Sequence, residues 1–274
     1  MTLQEAADRL GVHYMTAYRY IRTGRLEAEK SGRTWLVDRK AVEQLAHGTP
    51  APGSRDGAGS RAHRTSHADL LFRRLVADDE AGAWSVLQDA LAWGRSPEEV
   101  IFEVIAPAMA RIGDEWRDGV LDVADEHVAS TIALRALARL GPQFNRRGPK
   151  RGAVVVGAPS GDLHGLPIAL VADPLRGRGY HVVDLGPNTP AASFGHAAGH
   201  TARLVAVAIG ATTRRNDDAI RSAIRAVRRA ADVPVILGGA AVGSAAKARQ
   251  LGADHHSPTG AAVLELVESL RAQV

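Results

Sequence analysis

Apolar residues recur at helical spacing in the first half of the chain and as short unbroken runs in the second. Leu3 to Leu10 predicts a short helix, with Thr2 as N-cap and Glu5 placed to close a capping box. Gly11 breaks it. His13 to Arg22 predicts a second helix with Ala17 and Ile21 facing inward, and Gly24 stops it. Helix, glycine-centred turn and helix make a helix-turn-helix pattern. Leu26 to Lys30 and Thr34 to Val37 predict two strands joined by Ser31-Gly32-Arg33, a hairpin or wing, and Asp38 caps a helix from Arg39 to Ala46. Trp35 belongs to the core of this module.

Residues 48–66, rich in Gly, Pro, Ser, Ala and Arg and without apolar periodicity, form a flexible linker. Beyond it, three apolar stripes predict helices: Leu70, Leu71 and Leu75; Trp84, Leu87 and Leu91; and Val100, Ile101, Val104, Ile105, Met109 and Ile112. Pro97 after Ser96 marks a helix start, and Val123 to Leu140 makes a fourth helix. Four helices with short connections suggest a bundle. From Arg151 strands alternate with helices. The strands are Ala153–Val156, His181–Leu185, Leu204–Ile209, Val233–Leu237 and a short one at Asp254–His256, and a last helix runs from Gly260 to Ala272. The expected architecture has four parts. Residues 1–47 are an α+β winged helix-turn-helix, 48–66 the linker, and 67–148 an all-α four-helix bundle. Residues 149–274 are an α/β doubly wound five-stranded parallel sheet of flavodoxin or Rossmann type.

Composition narrows the chemistry. With no cysteine among 274 residues, disulfides, thiolate metal sites and iron–sulfur clusters are excluded, so a metal must use histidine or oxygen ligands. Residues 1–66 hold 11 basic and 7 acidic residues, whereas 67–274 balance at 23 of each. The positive excess therefore sits on the N-terminal module and points to a polyanion, with an ordinary solvated surface as the plainer reading. No run is long enough to span a membrane and no signal-peptide pattern is present, so a cytoplasmic protein is expected.

The most informative stretch is Gly157-Ala-Pro-Ser-Gly-Asp-Leu-His-Gly-Leu-Pro167. It follows the first strand of the second half and so lies where open α/β sheets bind ligands. Asp162 can accept one imidazole N–H of His164 and leave the other nitrogen to ligate a metal. Ser160, Gly161 and Gly165 flank the pair, while Gly238-Gly239 and Leu185-Gly186 end other strands and admit a large ligand. Upstream, Trp116 precedes Glu126-His127 by nine intervening residues. Alone, Trp116 reads as bundle core and Glu126-His127 as a solvated helix turn. His255-His256 lacks further ligands, its side chains point to opposite strand faces, and it is rejected as a metal site.

Asp162, His164 and Gly238-Gly239, with Val182-Val-Asp-Leu-Gly-Pro-Asn-Thr-Pro190, resemble the cobalamin-binding domains of corrinoid proteins. The resemblance implies that His164 is the lower axial cobalt ligand and that the cofactor's nucleotide tail enters the sheet's crevice. Two positions depart from that pattern: Pro167 replaces a glycine, and Ala208 and Gly210 stand where Ser and Leu or Thr are usual. Arg111 to Gly119 resembles the helical cap of methionine-synthase-like cobalamin proteins, and the narrower spacing Trp-x9-Glu-His resembles the CarH/LitR family of adenosylcobalamin-dependent, light-sensing repressors. That resemblance implies that Trp116 packs over the upper axial group and that Glu126 bonds the adenosyl moiety. It implies that His127 contacts that group or ligates cobalt after photolysis. Ala6 to Leu26 resembles the MerR/excisionase winged helix-turn-helix, which implies His13, Thr16, Arg19 and Tyr20 as base-reading residues. Arg22, Lys30 and Arg33 would then touch phosphate or the minor groove.

The expected function is a non-enzymatic transcriptional repressor. Bound to adenosylcobalamin in the dark, it would hold a double-stranded operator as a homo-oligomer, a tetramer in the resemblance, and light would release it. A regulator of the same architecture that senses cobalamin or another tetrapyrrole without light is the alternative. A corrinoid carrier for a methyltransferase is a third reading, opposed by the helix-turn-helix.

Overall fold

The computed structural model describes residues 1–10, 12, 17, 20–21, 26–31, 34–46 and 66–272. The chain divides into two compact units, Met1–Thr65 with Gly113–Glu126, and Ser66–Ile112 with His127–Val274.

In the first unit, helix α1 (Leu3–Leu10) starts as its sequence dictates. The Thr2 hydroxyl accepts from the Glu5 amide at 3.3 Å, and Glu5 accepts from the Thr2 amide at 2.8 Å. Strands β1 (Ala28–Ser31) and β2 (Thr34–Val37) pair antiparallel, with Ala28 opposite Val37, and helix α2 (Arg39–Ala46) follows. Leu3, Ala6, Ala7, Ala17, Leu26, Val37 and Val42 are buried together, and Trp35 packs on them as expected.

In the second unit, α3 (His67–Val76) is capped by Ser66 and α4 (Glu80–Ala92) by Asp79. A full capping box, Ser96 with Glu99, opens α5 (Pro97–Val100), as the Ser-Pro start predicts. The next stripe is not a plain α-helix: a π turn (Ile101–Ile105) separates α5 from α6 (Ala106–Arg117), and the Ala106 amide bonds the Ile101 carbonyl five residues back. Pro107 accounts for it, because it has no N–H to return to residue 103 and its ring crowds that carbonyl. Helix α7 (Val123–Leu140) and a 3-10 turn (Gly141–Phe144) complete the helical region, although the last residues of α6, from Gly113, and the first of α7, to Glu126, belong to the first unit. Leu70, expected on the inner stripe, is instead exposed, and Leu71, Phe72 and Leu75 carry the packing of α3.

The sheet comprises β3 (Ala153–Gly157), β4 (His181–Asp184), β5 (Leu204–Gly210), β6 (Val235–Gly238) and β7 (His255–Ser257). It is parallel throughout, in the order β4-β3-β5-β6-β7. Counted along the sheet this is 2-1-3-4-5, the flavodoxin-like order, whose switch point lies between β3 and β5. Alternate strand residues separate two cores. Val154, Val156, Ala206, Ala208 and Ile236 pack against α8 (Leu166–Gly177) and α12 (Gly260–Arg271). Val155, Val207, Ile209, Val235 and Leu237 pack against α9 (Ala191–His200), α10 (Asp217–Ala230) and α11 (Ala245–Leu251).

Two contacts fix the helical region of this unit against the sheet's first face. Phe102, in the π turn, joins that core, and a Cβ on Gly260 would lie 2.8 Å from its ring. Arg178 grips Glu98 with two bonds, of 2.6 and 3.2 Å, and meets Glu265 at 2.8 Å.

Candidate functional site

The loop after β3 and the loop after β5 meet across the switch point, and Asp162 joins them. Its side chain is fully buried. Oδ2 accepts the amides of Thr212 and Thr213 at 2.5 and 3.0 Å, while Oδ1 accepts the His164 amide at 3.2 Å and lies 2.7 Å from His164 Nδ1. Burial pushes the carboxyl up, but the Thr213 and Thr212 amides and the His164 ring and amide outweigh it. The group is held below the usual carboxylate range. Asp162 is therefore an ionised anchor. Its bond to Nδ1 leaves Nε2 of the half-exposed imidazole as the nitrogen that can ligate a metal.

The rest of the loop is held equally firmly. Gly161 takes a φ of 82°, where glycine is unstrained, and its amide donates to Asn188 Oδ1 at 2.8 Å. The Asn188 amide donates to the Asp162 carbonyl at 2.7 Å, and Asn216 Nδ2 donates to the Ser160 carbonyl at 2.9 Å. Gly165 caps α8, and Pro167 sits in that helix's first turn. The amides there have no helical partner, so Pro167 forfeits no hydrogen bond and the departure from the resemblance costs the fold nothing.

Beside the loop, a cavity of about 130 Å³ opens between α8 and α12. Its lining includes Val156, Ile168, Ala208, Gly210, Gly238, Gly239 and Gly260. Gly238 and Gly239 are sterically required by neighbouring backbone, and Gly210 abuts the tip of a side chain. A Cβ on Gly239, at φ 101°, would lie 2.3 Å from the Ala211 carbonyl oxygen. One on Gly210 would lie 2.6 Å from Ile168 Cδ1, and one on Gly238 2.8 Å from the Ser257 carbonyl oxygen. Ala208 brings no hydroxyl to this slot, but Ser257 and Thr259 line it as well. The sequence reading missed those two, and also Thr212 and Thr213, which act through backbone amides that leave no mark in a sequence. Asn188, in the left-handed region with φ 53°, was legible only as part of the second-strand loop.

The structure thus brings Ser160, Gly161, Asp162, His164, Gly165, Ala208, Gly210, Gly238 and Gly239 to one sheet edge. Trp116 and Glu126 fall in the first unit and His127 in the second. Trp116 is 46% exposed rather than buried in a core, and His127 is exposed at the fifth residue of α7. Of the nucleic-acid residues, His13, Thr16, Arg19, Arg22 and Arg33 lie outside the described residues, as does the Lys30 side chain. Tyr20 is half-buried against the core of its module. His255 and His256 pair along β7, and among the described residues no group of three or more His, Asp or Glu could hold a metal. Among the described residues, too, no helix is long and apolar enough to cross a membrane.

A doubly wound sheet, a carboxylate-held histidine on its switch-point loop and a glycine-lined slot beside it together form a site suited to cobalamin. Comparison with known proteins agrees. Residues 152–267 and 68–140 match two models described as B12 binding domains, and residues 1–48 match a helix-turn-helix domain. The chain therefore carries cobalamin-binding domains behind an N-terminal helix-turn-helix. It is 27% identical to trimethylamine corrinoid protein 1 of Methanosarcina mazei, over 70% of this chain and 90% of that protein. It is 28% identical to the HTH-type transcriptional repressor CarH of Myxococcus xanthus, over 75% of this chain and 69% of that protein. In fold it is similar to the monomethylamine corrinoid protein of Methanosarcina barkeri, with a TM-score of 0.63 and 21% identity, covering 74% of this chain and 98% of that one.

Proposed function

We propose that this protein is a cytoplasmic, non-enzymatic transcriptional repressor that responds to light through adenosylcobalamin. The observation that carries the reading is the Asp162–His164 pair, anchored to the Thr212 and Thr213 amides, in a chain that also begins with a helix-turn-helix domain. The similarity to CarH supports it. The parts we assign are the DNA-binding module 1–47, the linker 48–66, the helical cap 67–148 and the cobalamin domain 149–274.

Adenosylcobalamin, when bound, supplies a cobalt–carbon bond that visible light breaks. His164 would hold the cobalt through Nε2, with Asp162 orienting the ring and raising its basicity. The slot lined by Ala208, Gly210, Gly238 and Gly239 would take the nucleotide tail, and Ser257 and Thr259 also line it. By the CarH/LitR resemblance, Trp116 would be the residue that shields the adenosyl group, Glu126 the one that bonds it, and His127 a further imidazole able to contact that group or ligate cobalt. A signal can shift the protein only through contacts that differ between dark and lit states, and those lie at Trp116, Glu126 and His127. His13, Thr16, Arg19 and Tyr20 read the operator, while Arg22, Lys30 and Arg33 position it on phosphate. A dark homotetramer multiplies individually weak modules into tight binding.

A second reading is a cobalamin-level sensor without light, favoured by the missing hydroxyl at Ala208. The methylamine corrinoid relatives, which align over most of their length, keep a corrinoid carrier in view. One experiment separates the three. The full chain is loaded with adenosylcobalamin in the dark, desalted, and measured by absorbance, size-exclusion chromatography and DNA mobility shift before and after green light. Retained corrin, a light-induced spectral change, a smaller assembly and lost DNA binding are expected. Corrin retained without a light response replaces the proposal by the sensor. Corrin retained without DNA binding replaces it by the carrier.

A further inference from the structure

On the sheet face opposite the cofactor slot, α10 and the C-terminal end of α11 with Gly252 frame a surface groove of about 500 Å³. It is lined by Arg221, Arg225, Arg228 and Arg229 around Ile224 and Leu251. The arginines recur at i, i+4, i+7 and i+8 and so share one side of the helix. The pattern is more than a self-neutralised charged face. Arg221 spends its charge on Asp217 and Asp218, and Arg228 on Asp254, whose other oxygen holds the Val235 amide. Arg228 is further fixed by the Gly252 carbonyl at 3.1 Å. Arg225 donates only to the Ser222 hydroxyl, and Arg229 has no carboxylate within ion-pairing distance among the described residues. Two braced guanidiniums thus stand beside two that lack an acid. Arginine forks match the oxygens of phosphate, as of carboxylate, with two parallel bonds.

We propose that this groove is a second DNA-contacting surface, which binds backbone phosphate without reading sequence while the helix-turn-helix reads the operator. The inference rests on the DNA-binding reading above. Its ligand is double-stranded DNA because the chain's positive excess already lies on its helix-turn-helix module, and a duplex engaged there is the polyanion this protein meets. No residue of the groove lines the cofactor slot, so phosphate contact and cobalamin loading are compatible.

The test is the salt dependence of binding of the full, cobalamin-loaded chain to a fluorescein-labelled random-sequence duplex in the dark. The variant R225Q/R229Q is compared with wild type and with R73Q/R271Q, which removes two exposed arginines elsewhere on the same unit. Retained corrin verifies folding. Each phosphate contact contributes about 0.9 to the slope of log K against log salt. The groove variant is expected to lose about 1.8 in slope per contacting protomer, and the control variant none. An unchanged slope in R225Q/R229Q overturns the groove alone. A changed elution volume with an unchanged slope overturns it in favour of a contact between copies of this chain. A wild-type protein that binds no duplex overturns both the groove and the DNA-binding reading. An equal loss in R73Q/R271Q reduces the effect to net charge and also overturns the groove.

Discussion

Asp162 Oδ2 lies 2.5 Å from the amide nitrogen of Thr212, fifty residues further along the chain, and this bond joins the loops on either side of the sheet's switch point. The same carboxylate orients His164 through its other oxygen. Loop closure and ligand presentation therefore depend on one side chain.

Asp162→Asn is expected to damage both. However the amide is turned, one backbone N–H, from His164 or from the threonine pair, faces an NH2 group. A buried donor left unsatisfied costs about 1–3 kcal/mol. Urea unfolding should show a loss of that size, and cobalamin titration a drop in affinity of roughly 10–100-fold.

The depressed carboxyl also sets an acid dependence. Its ionised form is the one the native state stabilises, so its contribution is present in full above the unfolded pKa of about 3.9 and is lost as pH falls through the lower folded value. Wild-type stability should fall in that window, and Asp162→Asn should flatten the fall. Urea midpoints at a series of pH values read the difference, and parallel curves would refute it.

His164→Ala removes a ring that is 49% exposed. Stability should stay within about 0.5 kcal/mol of wild type. Cobalamin retention on desalting should drop by at least about tenfold, since losing even an outer partner of a ligand costs about 10–100-fold. Unaltered retention would remove His164 from the site.

Ala208 and Gly210 should respond oppositely to restoration of the resemblance. Ala208→Ser adds a hydroxyl to the slot wall and should tighten cobalamin by up to about 1.5 kcal/mol. Gly210→Thr places a Cβ 2.6 Å from Ile168 Cδ1, so the Ile168 side chain must turn aside, and the variant should narrow the slot and weaken cobalamin retention with a stability loss of at most about 1–3 kcal/mol. Calorimetry of both variants, with and without cofactor, tells the two effects apart.

Arg178→Lys should fail to replace arginine. The guanidinium serves Glu98 with two bonds and Glu265 with a third, a geometry one ammonium cannot copy. A loss of about 1–2 kcal/mol is expected, discounted from the buried-pair range because the arginine side chain is 24% exposed. Thermal unfolding at low and high salt measures it.

Much of this architecture is legible from residues alone. The apolar runs Ala153–Val156 and Leu204–Ile209 stand out as strands buried on both faces, and the structure extends each by one glycine. Ser96-Pro97 with Glu99 announces its helix start. The Asp162–His164 pair is visible because a side chain bonds a side chain two residues away. What stayed hidden has physical reasons. Thr212 and Thr213 serve through amides that every residue type but proline possesses. Ser257 and Thr259 reach the slot only because β7 is last in the sheet order. The π turn had a signal, Pro107 inside an apolar stripe, but periodicity alone averages over it. Leu70 shows the limit of the stripe: Leu71, Phe72 and Leu75 already fill the inner side of α3.

Phe102 and Gly260 make the helical region and the cofactor slot share a boundary, because the glycine that lines the slot is the one whose missing side chain seats the phenyl ring. A molecule that presses on this wall does work on the ring, and a ring that shifts changes the room left for the molecule. Thermodynamic reciprocity makes the two quantities equal: whatever preference an occupant imposes on the helices, the helices return as a change in its affinity. The absent methyl at position 260 thus leaves the phenyl ring and the slot with a common wall.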